Sequence, residues 1–467
     1  MARRTSSTLP TKLAIFSIAL ILALLLLVQP LPDGMTESGR NALIIFILCL
    51  ALWVTNLIPL AATSLLAIVL IPLLGIMEPG RAFSFFGNQA VFFLLGVFLL
   101  TAAMIKTGLS KRVALLFLER FDRSPRFLLV GILFTCAFFA LWMPEHAVAA
   151  MMFPIVLEVS SQLQLEPRKS RYGKAMFLAL AWGAIIGGVG TFLGGARVPL
   201  AVGLLQEAYG MNISFLAWAK AGLPVVILMA PLASLHLILL FPPDIAEVKR
   251  ARHFLRQELG RIGSISSREK KMGALMLATI GCWVTVGHRL GLAEISIVAA
   301  ITLFILRIVR WNEIEDYVNW GVIVMYGGAI AIGKALTETG AIEALIMNYL
   351  PFERIPNFAI LVILSVISIL LTEGISNAAA VAVLIPLGFG IAGRCEISPI
   401  LIVLAVTIPA GMPFCLPMGS PPNAISYSAG HYSIKEMVRA GIFMNIVAIF
   451  VITLIMRFYW PLIGLAF

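Results

Sequence analysis

The stretch "FFALWMPEHAVAAMMFPIV", residues 138–156, places Glu145 and His146 in the middle of an otherwise apolar run. A carboxylate in hydrocarbon costs about 2.5–3.5 kcal/mol even on the lenient scale derived from membrane insertion. Such a group is retained inside a membrane only where protein or a wet cavity surrounds it. The stretch therefore predicts a polar break in the chain that other parts of the protein bury.

The composition shows in what kind of protein this break occurs. Of the 467 residues, 60% are hydrophobic and only 12% are charged, whereas a soluble domain carries roughly 25% charged residues. Apolar runs of roughly 18 residues or more recur along the chain, and each is long enough to cross a bilayer as a helix. These features predict an all-α polytopic membrane protein. The five cysteines show no metal-ligand spacing.

Three basic loops hold more than half of the lysine and arginine residues, and they predict the orientation of the chain. Because basic residues accumulate on the cytoplasmic side, we expect these loops and the N-terminus to be cytoplasmic, in a bacterial inner membrane. The same clustering explains the net charge of +11 without a nucleic-acid partner. The loops cover residues 106–126, 166–174 and 249–271.

The chain repeats itself at about half its length. The segment "PEHAVAAMMFP" (144–154) aligns with "SNAAAVAVLIP" (376–386) at an offset of 232 residues, and "FLGGARVPLAV" (192–202) aligns with "PMGSPPNAISY" (417–427) at an offset of 225. Weak internal symmetry of this kind is typical of secondary transporters. Basic residues follow the repeat in the first half but not in the second, so we expect the halves to have opposite orientations.

Polar or glycine- and proline-rich interruptions predict two kinds of broken helix in each half. Two runs of about equal length have a polar centre, "MPEHA" or "TEGISNA", and are predicted to be re-entrant hairpins entering from opposite sides. The segments "GGVGTFLGGARVP" and "CLPMGSPPNA" predict unwound helices, which free carbonyls for a cation and N–H groups for an anion. The hairpins lie in 126–162 and 356–393, and the unwound helices in 175–208 and 399–430.

The predicted organisation is an N-terminal helix in 1–39, repeats in 40–241 and 272–467, and a cytoplasmic basic linker in 242–271.

The segments "TEGISNAAAVAVLIP" and "LPMGSPPNA" resemble the Ser-Asn-Thr hairpin tip and the Thr/Ser-Pro-Pro-Asn unwound helix of the divalent anion/sodium symporter family. That family carries dicarboxylates, citrate and sulfate. The resemblance covers nearly the whole chain. It implies about eleven transmembrane spans, two opposed hairpins and a homodimer of scaffold and transport domains that moves by an elevator mechanism.

The resemblance also implies roles for residues of the second half. Ser376 and Asn377 match the first two tip positions and would bind a substrate carboxylate, whereas Ala378 lacks the hydroxyl of the third position. The implied substrate-binding residues of the unwound helix are Ser420, Pro421 and Asn423. The implied sodium site consists of Thr372, Ile375, Asn377 and Gly419.

The first half departs from the family pattern at both motifs. It has Pro144, Glu145 and His146 at the tip, and Gly195, Ala196, Arg197 and Val198 in the unwound helix. Because intramembrane charges usually pair with one another, we expect Glu145 to pair with Arg197. The guanidinium would then stand where the family has its first sodium ion and would still offer N–H donors to an anion. The other interpretation is a static pair that fixes the hairpin. The first-half candidates for the substrate site are Glu145, His146, Gly195 and Arg197.

These observations predict a secondary active transporter of a small divalent anion, of the dicarboxylate or sulfate type, coupled to sodium. The partners expected are the anion, Na⁺, membrane lipid and a second copy of the chain, with no organic cofactor. The alternative is a sodium-independent exchanger or a proton-linked transporter, in which His146 is the proton handle. An intramembrane enzyme that uses Glu145 and His146 as acid and base is disfavoured by the inverted repeat and by the absence of H-E-x-x-H and G-x-S-x-G motifs.

Overall fold

The computed structural model describes residues 9–349 and 355–465, and all regular secondary structure in these residues is helical. The prediction of an all-α protein is therefore confirmed for this part of the chain. The first eight residues of the predicted N-terminal segment and residues 350–354 and 466–467 of the predicted second repeat lie outside the described residues.

The helices of the first half and of the linker are α1 Leu9–Val28, α2 Glu37–Thr55, α3 Leu60–Leu73, α4 Pro79–Ser84, α5 Gln89–Thr107, α6 Leu109–Arg120, α7 Pro125–Ala140, α8 Glu145–Gln162, α9 Arg171–Gly187, α10 Arg197–Tyr209, α11 Phe215–Leu240 and α12 Lys249–Ile262. Those of the second half are α13 Ser267–Thr285, α14 Gly287–Leu290, α15 Leu292–Ile305, α16 Trp311–Ile314, α17 Trp320–Glu338, α18 Ala341–Tyr349, α19 Asn357–Gly374, α20 Asn377–Cys395, α21 Pro399–Ala410, α22 Pro421–Ser428 and α23 Ile434–Leu454.

Several of these helices are long and apolar enough to cross a bilayer. Within the described residues, eight helical stretches meet this condition by length and composition. Four other apolar helices, α3, α7, α15 and α21, are shorter. The protein is therefore a multi-pass membrane protein, while the expectation of about eleven spans stays a prediction.

The two predicted hairpin tips coincide with breaks between consecutive helices. In the first half, α7 ends at Ala140 and α8 begins at Glu145, directly after Pro144, which has no backbone N–H to continue α7. In the second half, the side chain of Ser376 accepts a hydrogen bond from the backbone N–H of Ala379 and caps the start of α20. In each case the two helices pack against each other. Whether each pair re-enters the membrane stays a prediction, since the structure contains no membrane.

The two predicted unwound segments separate α9 from α10 and α21 from α22. The first runs from 188 to 196, and the second from 411 to 420. Glycine is required where the first segment folds against the tip of the hairpin. A Cβ added at Gly194 would lie 2.6 Å from the carbonyl oxygen of Ala140, which is closer than side chains tolerate. The hairpin tip and the unwound segment of the first half are thus in backbone contact.

The helices form two packing groups. Helices α3, α5, α15 and α17 pack in one group, and α7, α8, α9, α11 and α19 to α23 pack mainly in the other. Helices α10 and α20 contact α5 or α17 across the boundary. The residues that join the hairpin tips to the unwound segments, Glu145, Arg197 and Asn377, are buried.

The linker helix α12 is held against the first half by charged contacts. Arg112 donates to the side chain of Glu269 and to the backbone carbonyls of Gly263 and Ser264. Lys111 donates to Glu258 of α12 at 3.1 Å, and this hydrogen bond holds the pKa of the Glu258 carboxyl below its usual value. Helix α12 thus packs on α6, the helix that follows α5, and also contacts α8.

Candidate functional site

The tips of the two predicted hairpins are in contact with each other. The side-chain amide Nδ2 of Asn377 donates to Glu145 Oε1 at 3.1 Å. Both side chains are buried, with 4% of Glu145 and 8% of Asn377 exposed. These are the residues that align at the offset of 232. The contact therefore joins the first tip directly to the second. The Glu145 carboxylate, which lies in an apolar run of the sequence, is buried by this contact between the tips.

Arg197, the first residue of α10, holds the other oxygen of this carboxylate. Its Nη1 donates to Glu145 Oε2 at 3.1 Å, and its Nη2 donates to the carbonyl oxygen of Gly188 at 2.9 Å. Only 1% of Arg197 is exposed. The structure thus brings together the two charged residues that the sequence analysis pairs, and both oxygens of Glu145 are engaged.

The guanidinium of Arg197 lies against both unwound segments. A Cβ added at Gly195 or at Gly411 would collide with the guanidinium atoms. Gly195 belongs to the first half and Gly411 to the second, so the charge sits where the two repeats approach each other. The Nε–H of Arg197 is buried and has no hydrogen-bond partner among the described residues.

Three oxygens converge beside the second tip, in the region where the sequence implies a sodium site. Thr372 Oγ1 lies 2.6 Å from Asn377 Oδ1 and 3.0 Å from the carbonyl oxygen of Ala410. A hydroxyl has one hydrogen, so it cannot donate to both acceptors at once. Hydroxyl, amide and carbonyl oxygens at a helix break are the ligands that Na⁺ takes in transporters. Sequence reasoning missed Ala410, because every residue has a carbonyl and no residue type marks the one that is used.

The two remaining residues of the implied sodium site lie close by. A Cβ added at Gly419 would lie 3.2 Å from the carbonyl oxygen of Thr372. Ile375 directly follows α19, and its backbone N–H donates to the carbonyl of Leu371. The structure records no further hydrogen bond of these two residues to the Thr372 cluster among the described residues. Their role as ligands stays a prediction.

Two serine hydroxyls stand at the starts of half-helices in the second half. Ser376 Oγ accepts from the N–H of Ala379 at 3.2 Å, and Ser420 Oγ accepts from the N–H of Asn423 at 3.4 Å. Each hydroxyl keeps its own hydrogen for another acceptor. Because the N-terminus of a helix carries partial positive charge, these two hydroxyls and their helix ends suit an anion.

Asn423 and Pro421 lie at the start of α22, directly after the second unwound segment. The amide Nδ2 of Asn423 donates to the carbonyls of Pro413 and Leu416, so this side chain ties the unwound segment to α22. Its Oδ1 is buried and without a hydrogen-bond partner among the described residues. Pro421 is exposed at the first position of α22. Their contact with a substrate stays a prediction.

The His146 ring packs against α5, which belongs to the packing group of α3, α5, α15 and α17. Its ring centroid lies 6.0 Å from that of Phe98 in α5, in an edge-to-face arrangement. Among the described residues it makes no hydrogen bond to Glu145 or to Arg197. The structure therefore does not bring His146 into the polar cluster, and its proposed role as a proton handle stays untested.

Sequence reasoning missed Glu373, which organises the second unwound segment. Its Oε1 accepts from the N–H groups of Phe414 and Cys415 at 2.8 and 2.9 Å, and its Oε2 accepts from that of Leu416 at 2.9 Å. Asn445 Nδ2 also donates to Oε1 at 2.8 Å. The available signal was the same as for Glu145, namely a carboxylate in an apolar run beside a hairpin tip.

Comparison with known proteins places this geometry in context. A family model of the sodium:sulfate symporter transmembrane region matches residues 10–466. A sodium-dependent dicarboxylate transporter, SdcS of Staphylococcus saprophyticus, is 28% identical over 474 residues, which are 95% of this chain and 91% of the relative. The SdcS protein of Staphylococcus aureus is 28% identical over 458 residues, which are 92% and 88% of the two chains.

A solved structure shares the fold. The crystal structure of the YdaH transporter of Alcanivorax borkumensis, described as having an unusual topology, matches with a TM-score of 0.58. The match covers 90% of this chain and 99% of that chain at 14% sequence identity. At this identity the likeness concerns the arrangement of helices and not the substrate.

Proposed function

Because the chain belongs to the sodium:sulfate symporter family, we propose that it is a sodium-coupled secondary transporter of a small anion of the dicarboxylate or sulfate type. The chain is a transporter and not an enzyme, as its family and its relatives are transporters. The observation that carries the proposal is the meeting of both hairpin tips and both unwound segments around Asn377, Glu145 and Arg197. A site built at the interface of two repeats is the arrangement expected for a transported substrate.

In this proposal the anion binds at the second half of the site. The hydroxyls of Ser376 and Ser420 donate to it, and the N-termini of α20 and α22 stabilise its charge. Arg197 contributes its buried Nε–H from the first half. The same region is lined by Pro421, Asn423 and Gly195.

Sodium coupling is proposed to act through the oxygens around Thr372. The convergence of Thr372 Oγ1, Asn377 Oδ1 and the Ala410 carbonyl supports a Na⁺ ion there, with Ile375 and Gly419 as further carbonyl ligands. Bound Na⁺ would hold the tip that carries Ser376 and so favour anion binding. The ion is a co-substrate in this scheme and leaves with the anion.

The proposed architecture has about eleven spans, two opposed re-entrant hairpins and a cytoplasmic N-terminus in a bacterial inner membrane. The two packing groups support an elevator mechanism, in which the group that contains the hairpins moves against the group of α3, α5, α15 and α17. A homodimer through the static group completes the proposal. The domain boundaries are those of the repeats, 40–241 and 272–467, with the linker 242–271 between them.

Counterflow in proteoliposomes tests the proposed function. Vesicles loaded with unlabelled succinate or sulfate are diluted into the labelled anion, with and without sodium. We expect accumulation of the label that requires the matching internal anion and increases with sodium. A complete lack of counterflow for every anion would contradict the assignment as an anion transporter.

The Ser420→Ala variant tests the anion site itself. The lost hydroxyl donor to a charged carboxylate is worth about 1.5–3 kcal/mol, so we expect the KM for the anion to rise roughly tenfold or more. Ser428→Ala is the matched control, because the Ser428 hydroxyl donates to the Ile425 carbonyl within the same helix. Equal KM values for the two variants would show that the anion does not bind at Ser420.

Impermeant thiol reagents test the proposed orientation. We use a Cys282→Ser background, because Cys282 is an exposed cysteine. A cysteine at Ser264, which is exposed in the basic linker, is expected to react only from the cytoplasmic side, and one at Asn212, exposed between α10 and α11, only from outside. Labelling of both from the same side would contradict the topology.

The buried guanidinium favours a second candidate function. Arg197 is a fixed cation at the first-half site, where the family pattern has a neutral motif, and a fixed charge cannot leave with the substrate. Such a protein would exchange one anion for another without sodium. Counterflow of equal rate with and without sodium, together with no net uptake into empty vesicles, would select the exchanger.

A further inference from the structure

The carboxylate of Glu145 lies at the first tip and accepts a hydrogen bond from Asn377 of the second tip. We propose that it takes the place of one of the two carboxylates of a dicarboxylate, so that the protein carries its substrate as a monoanion and excludes sulfate. This inference rests on the proposed function and specifies the charge of the substrate. It concerns the protonation state of the transported molecule and not that of Glu145.

Both oxygens of Glu145 use donors that are suited to a substrate carboxylate. Arg197 Nη1 donates to one oxygen and Asn377 Nδ2 to the other, both at 3.1 Å. Charge-assisted bonds from an arginine and an amide are the usual way to bind a carboxylate. The protein therefore satisfies these donors with a group of its own, and a substrate carboxylate would have to displace it.

The first half also lacks the hydroxyls that remain available in the second half. At the repeat offsets, Pro144 corresponds to Ser376, and Gly195 corresponds to Ser420. Neither proline nor glycine has a side-chain donor. One carboxylate subsite is therefore complete, at Ser376 and Ser420, and its symmetry-related counterpart is missing both hydroxyls and already contains a carboxylate.

The charges around the first tip lead to the same conclusion. Arg197 is the cation in contact with Glu145 among the described residues, and the two charges cancel. The other titratable groups near the tips supply no further positive charge: His146 packs its ring on Phe98, the Glu373 carboxylate binds backbone N–H groups, and Tyr326 of α17 is a buried phenol. The Na⁺ ion proposed beside Thr372 balances one negative charge, so a dianion here would leave a buried charge without a partner, which is strongly unfavourable.

The packing leaves little room beside the guanidinium for a second carboxylate. A Cβ added at Gly188 would lie 2.5 Å from Glu145 Oε2, and Gly195 and Gly411 both press on the guanidinium. The tip is thus filled by the Glu145–Arg197 pair. A monoanion needs only the second-half subsite and can bind without breaking this pair.

The first test uses the wild-type protein in counterflow without any ion gradient. Three probes differ in charge: sulfate is a dianion throughout the range used, succinamate is a monoanion with the same chain length as succinate, and succinate changes between the two forms. At limiting concentration, succinate exchange is expected to rise about tenfold for each pH unit of acidification above its second pKa, because its monoanionic fraction rises by that factor. Succinamate should compete equally well at each pH, and sulfate should not exchange.

The second test changes the charge of the tip. Glu145→Gln keeps a carbonyl acceptor for Arg197 but removes the negative charge, so this variant is expected to bind dianions, to exchange sulfate and to lose the preference for acidic pH. Glu158→Gln is the matched control, because it removes a carboxylate from the same helix away from the tip, where Glu158 accepts from Gln162. The control should behave as the wild type.

The outcomes separate this inference from the function on which it rests. Exchange of sulfate by the wild type, or succinate exchange that does not change with pH and resists succinamate, overturns the inference while leaving an anion transporter. A rise of both sulfate and succinate exchange on acidification would indicate proton coupling, which also overturns it. No exchange of any probe would refute the proposed function itself. The wild-type measurements decide the matter even if Glu145→Gln fails to fold.

Discussion

Replacing Arg197 by alanine is expected to destabilise the protein by about 3–5 kcal/mol, because it leaves the buried Glu145 carboxylate without its cation. Arg197 is 1% exposed and Glu145 is 4% exposed, so water cannot take over the lost contact. Glu145→Ala should be similarly damaging, since it strands the guanidinium and the amide of Asn377. The measurement is the apparent unfolding free energy in detergent, together with counterflow.

Restoring the family pattern at both positions should be milder than the sum of the single changes. The double variant Glu145→Asn with Arg197→Pro removes both charges together. Asparagine at 145 can still contact Asn377, and position 197 is the first of α10, where proline is tolerated because its missing N–H has no partner in the helix. If Arg197 replaces a sodium ion, this variant should also gain a steeper dependence on sodium.

The control for the single and double variants of Glu145 and Arg197 is an ion pair at the surface. Arg256 pairs with Glu119 at 3.4 Å, and the Arg256 side chain is 63% exposed. Arg256→Ala should cost only about 0–1 kcal/mol. Additive losses in the Glu145 and Arg197 variants, with an unchanged response to sodium, would mean that the two residues do not act together.

Glu373→Ala is expected to collapse the second unwound segment and abolish transport. The substitution leaves the N–H groups of Cys415 and Leu416 without an acceptor, and that of Phe414 with only Asn445 Oδ1 at 3.3 Å. Each unpaired donor costs about 1–3 kcal/mol. Glu373→Gln keeps one acceptor oxygen and should be less severe. Thermal unfolding in detergent and counterflow are the measurements.

Two further variants show whether the effect comes from these contacts. Asn445→Ala removes only one of the donors to Glu373 and should be milder than Glu373→Ala. Glu78→Ala removes an exposed carboxylate ahead of α4 and should change little. If Glu373→Ala were as stable as Glu78→Ala, the unwound segment would have to be held by other contacts.

Much of the architecture can be predicted from the sequence because its causes are local. Pro144 ends α7 and Ser376 caps α20 through interactions within a few residues, so both tips can be found by inspection. The glycines between α9 and α10 mark the first unwound segment in the same way. Apolar length and composition decide that these helices belong in a membrane.

The partners in the site are less predictable because they are distant in sequence. The pair of Glu145 with Arg197 was foreseeable, since both charges lie in apolar surroundings and need an opposite charge. The hydrogen bond from Asn377 to Glu145 was not, because a repeat identifies equivalent positions without saying that they touch. The carbonyl of Ala410 and the N–H groups that bind Glu373 carry no signal in a residue type.

The sequence by itself therefore determined a helical membrane protein, the positions of four helix breaks, and the presence of charges that need burial. The tertiary structure alone decided that the two tips touch, that the guanidinium of Arg197 lies between Gly195 and Gly411, and that Glu373 holds the segment after α21. The physical reason is that helix breaks depend on local backbone chemistry. The contacts of a buried charge depend instead on which backbone groups the packing of distant helices leaves without partners.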